Sequence, residues 1–245
     1  TAVRLKMEAI LRAAFQGASV DYTTRVSESV LARLHFVVRV ATGQAIPAVD
    51  PEELQQRLID ATRTWEEGLN EVARSEHGGE VGARLIRLYG KAFPESYKED
   101  FSPRVALVDL RYLEALTSDD AIGLNLYQEP GRPPGERRFK LYRRGPLSLT
   151  AVLPLFTHFG VEVVDERPHQ ISRSDGVTMH VYDFGLRGSE PKAWVGSDLE
   201  GRGELFQEAF LAVWMGRAES DGFNALVLGG GLTWRQVVVL RAVAK

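Results

Sequence analysis

The sequence predicts an α+β protein in which two small sheet units are linked and followed by helices. The first observation is a strand–helix–strand–strand pattern between Phe139 and Arg187. The second is a helix–strand–strand–helix pattern over residues 5–74, which repeats the later order without its first strand. Both patterns combine the helical period of 3.6 residues with the period of two of half-buried strands. An incomplete copy and a fuller copy therefore predict a pair of related units.

The later unit begins with a strand in which Phe139 and Leu141 alternate with polar residues. Gly145-Pro146 ends this strand, and Ser148 is a candidate N-cap for the helix that follows. The apolar residues of this helix fall at helical spacing up to Gly160, which is typical of a C′ position: Leu149, Val152, Leu153, Phe156 and Phe159. Pro154 inside this helix is expected to cost about 3 kcal/mol or to kink it.

Two further strands follow, around Val161–Val163 and Val177–Val181, and Asp175-Gly176 between them is a hairpin signal. The βαββ order is half of a ferredoxin-like βαββαβ unit, which a helix from Leu205 can complete. A strand of Ile122, Leu124 and Leu126 is expected to form a hairpin with the strand at Phe139.

The earlier unit contains a helix at Leu5–Phe15 and strands near Val20–Val26 and Leu31–Val40. Asp50-Pro51-Glu52-Glu53 is a strong helix start, because it combines a cap, an N1 proline and first-turn acids. One continuous helix is predicted from there, with these residues on one stripe: Leu54, Leu58, Trp65, Leu69 and Val72. The missing first strand would lie just ahead of Thr1.

The remaining segments are predicted to be helical: Glu80–Phe93, Ser102–Leu116, Asp221–Leu228 and Thr233–Lys245. Together these elements predict four regions. Residues 1–78 form a small βαββαβ unit without its first strand, residues 79–118 a helical linker, residues 119–219 a second such unit, and residues 220–245 the start of a helical region.

Composition excludes several classes of function. A net charge of −3 and a pI near 6.0 argue against a general binder of nucleic acid or anionic membranes. The chain has no cysteine, which excludes disulfides and favours a reducing compartment. No segment has the 18 or more apolar residues of a membrane span. The chain begins with Thr1 and ends inside a helical run, so we expect a piece of a longer protein.

One candidate ligand site lies at the start of the predicted central helix. The free N–H groups of a helix N-terminus favour an anion, and two adjacent arginines could clamp a carboxylate. The candidate residues are Arg143, Arg144, Gly145, Pro146, Leu147 and Ser148. The alternative is a solvated turn whose arginines pair with nearby acids or with another subunit.

Other patterns give no catalytic centre. The five histidines lack metal-site spacing, although His169 and His180 could approach each other near Asp175 across the hairpin. Residues 229–231 and the stretch 196–204 are rich in glycine, but neither matches a dinucleotide or P-loop fingerprint. Adjacent acids such as Asp165 and Glu166 do not face one another as a catalytic pair would.

The stretch LTAVLPLFTHFGVEV resembles the helix and second strand of ACT domains, small βαββαβ modules that usually sense amino acids. The first loop of that family commonly reads Asp-x-Pro-Gly. Pro146 matches the family proline, whereas Arg144 and Leu147 stand where the aspartate and the glycine belong. Because the glycine lets a ligand approach the backbone, its loss weakens the expectation of amino-acid binding.

Three longer blocks resemble the N-terminal, ACT-containing region of the large bacterial NAD-specific glutamate dehydrogenases: PLFTHFGVEVVDERPHQI, DGVTMHVYDFGL and FQEAFLAVWMGRAESDGFNALVLGGGLTWRQVVVLRAVAK. The resemblance implies a cytoplasmic homo-oligomer that oxidatively deaminates L-glutamate to 2-oxoglutarate with NAD. It also implies that the catalytic and NAD sites lie downstream, and that this segment serves regulation and oligomerisation, with a possible amino-acid effector. The alternatives are a stand-alone amino-acid-binding ACT-type module and a small self-contained enzyme.

Overall fold

The computed structural model describes residues 2–26, 32–189, 194 and 199–244. It divides the chain into two compact units, Thr1–Gly68 and Leu69–Lys245, called unit 1 and unit 2 below. The glycine-rich stretch over residues 196–204 falls partly outside the described residues, as do Leu31 and Lys245 at the ends of a predicted strand and a predicted helix.

Unit 1 consists of helix α1 (Ala2–Ala14), strands β1 (Ser19–Val26) and β2 (Ala32–Arg39), and helix α2 (Pro51–Thr62). The two strands are antiparallel, with Tyr22 opposite Phe36. Along β2 the half-buried residues are the apolar Leu34, Phe36 and Val38, whereas His35, Val37 and Arg39 are exposed. The predicted alternation is therefore confirmed for the part of β2 with described side chains.

The start of α2 is confirmed, but its predicted length is wrong. Asp50 accepts a hydrogen bond from the Glu52 N–H at 2.9 Å, as an N-cap does. The helix ends at Thr62, and a new helix, α3 (Trp65–Tyr89), begins after Thr64. The Thr64 hydroxyl accepts from the Glu67 N–H at 3.2 Å, and the Glu67 carboxylate accepts from the Thr64 N–H at 2.8 Å. This capping box starts a second helix, whereas the apolar stripe predicted a single continuous helix.

Helix α3 bends at Gly78, which has a φ of +77° and therefore a backbone conformation that suits glycine. The segment beyond this bend corresponds to the predicted helix from Glu80. Two further helices follow: α4 (Glu95–Asp100), which was not predicted, and α5 (Pro103–Glu114). Ser102 caps α5 by accepting from the Val105 N–H at 3.4 Å.

Unit 2 contains an antiparallel four-stranded sheet in the order β3-β4-β6-β5. Its elements are β3 (Ile122–Tyr127), β4 (Glu136–Arg143), α6 (Leu149–His158), β5 (Val161–Ser172), β6 (Thr178–Gly188) and α7 (Leu199–Trp214). The order β4-α6-β5-β6-α7 confirms the predicted βαββα arrangement. Strand β3 pairs with the outer edge of β4. In a βαββαβ module this position beside the first strand belongs to the last strand, whereas β3 precedes the module in the chain.

One face of this sheet packs on α6 and α7 and forms the apolar core. Phe139 is fully buried, with ring centroids 5.6, 5.4 and 5.1 Å from those of Phe156, Phe206 and Phe210. Pro154 lies on the exposed side of α6, which continues past it to His158. Gly160 follows the helix with a φ of +71°, as predicted for a C′ glycine.

The opposite face of the sheet is polar and is covered by α4 and α5. Arg138, Lys140 and Tyr142 alternate along β4 with the core residues and point to this second face. All three are buried, although two of them carry a charge. Their partners, described below, come from α5 and from strands β6 and β5.

One helix was predicted over Asp221–Leu228, but the chain there forms a 3₁₀ turn (Gly222–Ala225) followed by the short helix α8 (Leu226–Gly230). Helix α9 (Trp234–Ala244) follows as predicted. Arg241 of α9 is buried and donates to Asp221 at 2.7 Å and to Asn224 at 2.7 Å. Gly231 ends α8 with a φ of +64°. No helix within the described residues has the length and apolarity that crossing a membrane requires.

Candidate functional site

The predicted anion loop, residues 143–148, connects the end of β4 to the start of α6. Ser148 occupies the N-cap position, but its hydroxyl lies 2.8 Å from that of Thr150 and does not cap the backbone. The Leu147 N–H donates to the Tyr182 hydroxyl at 2.8 Å, which fixes the loop against β6. Pro146 and Ser148 are exposed, whereas Gly145 and Leu147 are half-buried. The loop therefore presents a helix N-terminus with the positive end of its dipole at the surface.

The two arginines of this loop have different environments. Arg144 donates to the carbonyl of Leu116, after the end of α5, at 2.6 Å and lies 3.9 Å from Asp119. The guanidinium of Arg143 lies 5.8 Å from the ring centroid of Trp214 and opposite His180 on β6. Burial lowers the pKa of His180, and the positive charge of Arg143 lowers that pKa further.

Each arginine also has a buried Nε atom with no hydrogen-bond partner among the described residues. Because Arg144 is held by a backbone carbonyl, Arg143 is the side chain with more capacity for an incoming anion. The arrangement differs from a clamp of two parallel guanidinium groups, which would bind a carboxylate through paired donors. Anion binding at residues 143–148 stays a prediction.

A buried charge cluster lies on the second face of the sheet, where α5 covers β4. Asp109 of α5 accepts hydrogen bonds from the Lys140 ammonium at 2.6 Å and the Tyr142 hydroxyl at 2.7 Å. The Tyr97 hydroxyl of α4 donates to the same carboxylate at 2.5 Å. Burial raises the pKa of both tyrosines, as does the Asp109 charge, so both remain hydrogen-bond donors. Lys140 also lies 3.7 Å from the ring centroid of Phe101.

A second buried charge cluster lies on the same face of the sheet, around Arg138, two residues before Lys140 on β4. The Arg138 guanidinium donates to both carboxylate oxygens of Asp183 at 3.2 Å and pairs with Asp165 on β5. The Tyr127 hydroxyl donates to Asp183 at 3.0 Å. Burial raises the pKa of Asp183, and the neighbouring Arg138 opposes that rise. These groups satisfy one another in the interior, which is typical of a structural network.

Sequence reasoning did not identify these two clusters, although a signal was present. Arg138 and Lys140 alternate with Phe139 and Leu141, so one face of β4 is charged. Asp109 lies on the same helical face as the apolar residues Ala106, Leu110 and Leu113. A buried acid facing a strand with two cations could have predicted the pairing.

The histidines do not converge on a metal site. His169 pairs in register with Val181, whereas His180 pairs with Gln170, so the two imidazoles lie on opposite faces of the sheet. His169 is buried between Ser96 and Asp100 of α4, with its Nε2 3.5 Å from the Asp100 carboxylate. Across the described residues, no group of three or more acidic or histidine side chains is placed to hold a metal ion.

The glycine-rich stretches have structural positions. Gly229 and Gly230 are the last two residues of α8, and Gly231 is its C-cap. Residues 196–198 lie outside the described part of the chain, and the following residues of that stretch belong to α7. Asp175 pairs with Arg173 at the tip of the β5-β6 hairpin.

The chain matches four domain models of glutamate dehydrogenase: the ACT2 domain over residues 1–66, helical motif 2 over residues 73–116, the ACT3 domain over residues 121–198 and helical motif 3 over residues 218–245. Over its whole length it is 33% identical to an NAD-specific glutamate dehydrogenase of Pseudomonas aeruginosa. Proteins of the same name from Halomonas elongata and Mycobacterium tuberculosis are 34% and 36% identical. The chain belongs to the NAD-specific glutamate dehydrogenase family.

The chain spans about 15% of the length of these dehydrogenases, so it corresponds to one part of a much longer polypeptide in its relatives. The ACT3 match begins at β3 and includes all four strands of the unit 2 sheet. Helical motif 2 includes α4 and α5, which cover the polar face of that sheet. The resemblance seen in the sequence is therefore confirmed.

Proposed function

We propose that the protein containing this chain is an NAD-dependent glutamate dehydrogenase, which oxidatively deaminates L-glutamate to 2-oxoglutarate and reduces NAD. In this proposal the chain itself serves regulation and assembly, and catalysis belongs to another part of the polypeptide. The observation that carries the proposal is full-length similarity to three dehydrogenases of which the chain spans only 15–16%. The match to ACT domains and helical motifs supports the non-catalytic role.

The proposal assigns NAD to the part of the dehydrogenase outside this chain. The sequence has no glycine fingerprint of a dinucleotide fold. The strongest charge clusters of unit 2 are buried and paired with each other, so they offer no open surface to a cofactor. The absence of cysteine fits a reducing compartment, and we include a cytoplasmic location in the proposal.

We keep the four regions predicted from the sequence, 1–78, 79–118, 119–219 and 220–245, as the proposed domain organisation. The matches to ACT2, helical motif 2, ACT3 and helical motif 3 follow the same order. Region 79–118 supplies α4 and α5, whose contacts with the sheet make it a packed layer of unit 2.

We also propose a homo-oligomer in which the ACT-like units take part. The edges of the unit 2 sheet are poor places for direct strand pairing. Gln207 of α7 accepts from the Leu126 N–H at 3.1 Å on the outer strand β3. On the other edge, β5 contains Pro168 and a bulge between Val163 and Asp165, and both features discourage pairing with another strand.

Helix α9, which follows the second ACT-like unit and packs on its helix α7, offers a better assembly surface. Val239 and Val243 are 62% and 83% exposed, although a helix with apolar residues on most sides is normally covered. In the whole dehydrogenase, Val243→Glu is expected to lower the oligomer mass measured by light scattering, because it places a charge in the contact. Val81→Glu, at a 49% exposed valine of α3, is the matched control and should leave the mass unchanged. An unchanged mass in both variants would remove α9 from the proposed interface.

A second candidate function is the sensing of an amino acid or another small anion at residues 143–148. The observation in its favour is the buried, unpartnered Nε of Arg143 beside the N-terminus of α6. Calorimetry of the whole dehydrogenase with a panel of amino acids tests this function. Binding that is lost in Arg143→Ala and kept in Arg187→Ala, a control at a 54% exposed side chain, would favour sensing. The absence of heat with every amino acid would leave assembly as the role of the chain.

A further inference from the structure

The hairpin of β5 and β6 extends beyond the rest of the unit 2 sheet. Strand β4 ends opposite His180, whereas β5 and β6 continue to the pair Ser172–Thr178. Residues 171–179, called the hairpin arm below, therefore form a ribbon of two strands, with no third strand beside it among the described residues. A two-stranded ribbon is only marginally stable in water, so the hairpin arm needs contacts from outside the sheet.

The helices on the polar face of the sheet supply these contacts. Ile171 and Met179 lie opposite each other in the hairpin arm, and both are buried. Ile171 follows His169 by two residues and so lies on the same face of β5, where the His169 ring contacts α4. The Ser172 N–H donates to the carbonyl of Ala92, between α3 and α4, at 3.1 Å. The helices therefore cover the apolar face of the hairpin arm.

The tip of the hairpin arm caps the C-terminus of α3. The Ser174 N–H donates to the carbonyl of Leu88 at 3.0 Å, and the Ser174 hydroxyl donates to the carbonyl of Arg87 at 2.8 Å. Both carbonyls lie in the last turn of α3, where a helix has no backbone donors of its own for them. The tip therefore provides a C-terminal cap from a distant part of the sequence.

A chain of charges fixes the tip to the end of α5. The Glu114 carboxylate accepts from the Tyr89 hydroxyl at 2.7 Å and from the Arg173 guanidinium at 3.2 Å. It also pairs with Arg84 of α3, and Arg173 pairs on its other side with Asp175 at 2.5 Å. Glu114 and Arg173 are only 22% and 18% exposed, so salt screens them less than a surface pair. Burial and the Glu114 carboxylate raise the pKa of Tyr89, so its hydroxyl remains a donor.

We infer that the hairpin arm is a strap that closes helices α3–α5 onto the ACT3 sheet, and that Glu114 is the charge that holds it closed. The Glu114 carboxylate connects Arg84 and Tyr89 of α3 with Arg173 of the hairpin arm. Removing its charge leaves both arginines without this anion and favours opening of the hairpin arm. The rest of β6 keeps β4 and β5 as neighbours, so the hairpin arm opens while the sheet stays folded. This inference rests on unit 2 and does not depend on the dehydrogenase activity.

Hydrogen exchange followed by mass spectrometry in the whole dehydrogenase tests the inference. Glu114→Gln keeps the size of the side chain and removes its charge. We expect it to speed exchange in residues 171–179 by about 10-fold or more, because hydrogen bonds to charged groups are the stronger ones. Residues 183–187 of β6, which are paired on both sides, are the internal reference and should be unchanged. Glu99→Gln, at an exposed acid of α4, is the matched control and should leave both segments unchanged.

Arg173→Gln extends the test to the other member of the ion pair. Because the two side chains act through each other, we expect the acceleration in Glu114→Gln/Arg173→Gln to be smaller than the product of the two single effects. Unchanged exchange of the hairpin arm in Glu114→Gln would overturn the inference. Equal acceleration of residues 183–187 would also overturn it, since the hairpin arm would then not open separately. A double variant whose acceleration equals the product would show that the two charges do not act together and would contradict the role of Glu114.

Discussion

The buried pair of Asp109 and Lys140 allows a prediction about the sign of a stability change. Both side chains are only 1% exposed, and the two charges lie 2.6 Å apart. The variant Lys140→Met keeps a long apolar side chain but leaves the Asp109 carboxylate with only two hydroxyl donors. Removing one partner of a buried ion pair costs about 3–5 kcal/mol, because the remaining charge is uncompensated.

The double variant Asp109→Asn/Lys140→Met is expected to be more stable than Lys140→Met alone. Tyr97 and Tyr142 donate to different oxygens of the Asp109 carboxylate. In the asparagine the amide oxygen can accept from one tyrosine and the NH2 group can donate to the hydroxyl oxygen of the other, and no buried charge remains. We therefore expect the second substitution to restore about 1–2 kcal/mol of the free energy of unfolding, since a neutral buried amide costs less than an unpaired carboxylate.

Urea unfolding of the chain, followed by near-ultraviolet circular dichroism, measures both changes. In thermal unfolding of a unit of this size, the loss of stability in Lys140→Met corresponds to a midpoint temperature lower by about 6–20 °C. Lys91→Met is the control at an exposed lysine and should change the free energy of unfolding by less than about 0.5 kcal/mol. The reasoning fails if Lys140→Met is as stable as Lys91→Met, or if Asp109→Asn lowers the stability of Lys140→Met further.

Three further predictions concern single positions. Gly185→Ala should destabilise unit 2 by about 1–3 kcal/mol in urea unfolding, because a Cβ there would lie 2.7 Å from an Asp165 carboxylate oxygen. Gly135→Ala, with no atom within 4 Å of its Cβ position, should be neutral. Thr64→Ala should lower the stability of the chain by about 1 kcal/mol in thermal unfolding, because it removes the N-terminal cap of α3. An unchanged midpoint would show that this cap does not contribute to stability. Burial lowers the pKa of His169 from its ordinary value of 6.5, so its neutral form stabilises the fold above that pH and this stability is lost as the pH falls below it. His169→Phe should flatten that pH dependence of stability, and a slope identical to the unsubstituted chain would contradict the assignment.

Local patterns predicted most of the elements, because helical and strand periods depend on neighbouring residues. The alternation along β4, the helix start at Ser102 and the hairpin at Asp175-Gly176 are all confirmed by the structure. The break between α2 and α3 was missed because the apolar stripe continues across it, although Thr64 and Glu67 have the spacing of a capping box. Helix α4 has six residues, too few to show a period.

Features that depend on distant residues could not be predicted in the same way. The place of β3 beside β4 is set by packing of the whole sheet and not by the order of elements. At the candidate anion loop, the sequence predicted the position of the helix N-terminus. It did not predict that Arg144 donates a hydrogen bond to the carbonyl of Leu116. The burial of Lys140 likewise depends on Asp109, which lies 31 residues away in the chain.

The proposal that catalysis belongs to a part of the dehydrogenase outside this chain is tested most directly by an assay with L-glutamate and NAD. Residues 1–245 and the whole protein are measured in parallel, with NADH formation followed by absorbance and NAD binding by calorimetry. The account predicts NADH formation by the whole protein, and neither NADH formation nor NAD binding by residues 1–245. NADH formation by residues 1–245, or its absence with the whole protein, would contradict the account.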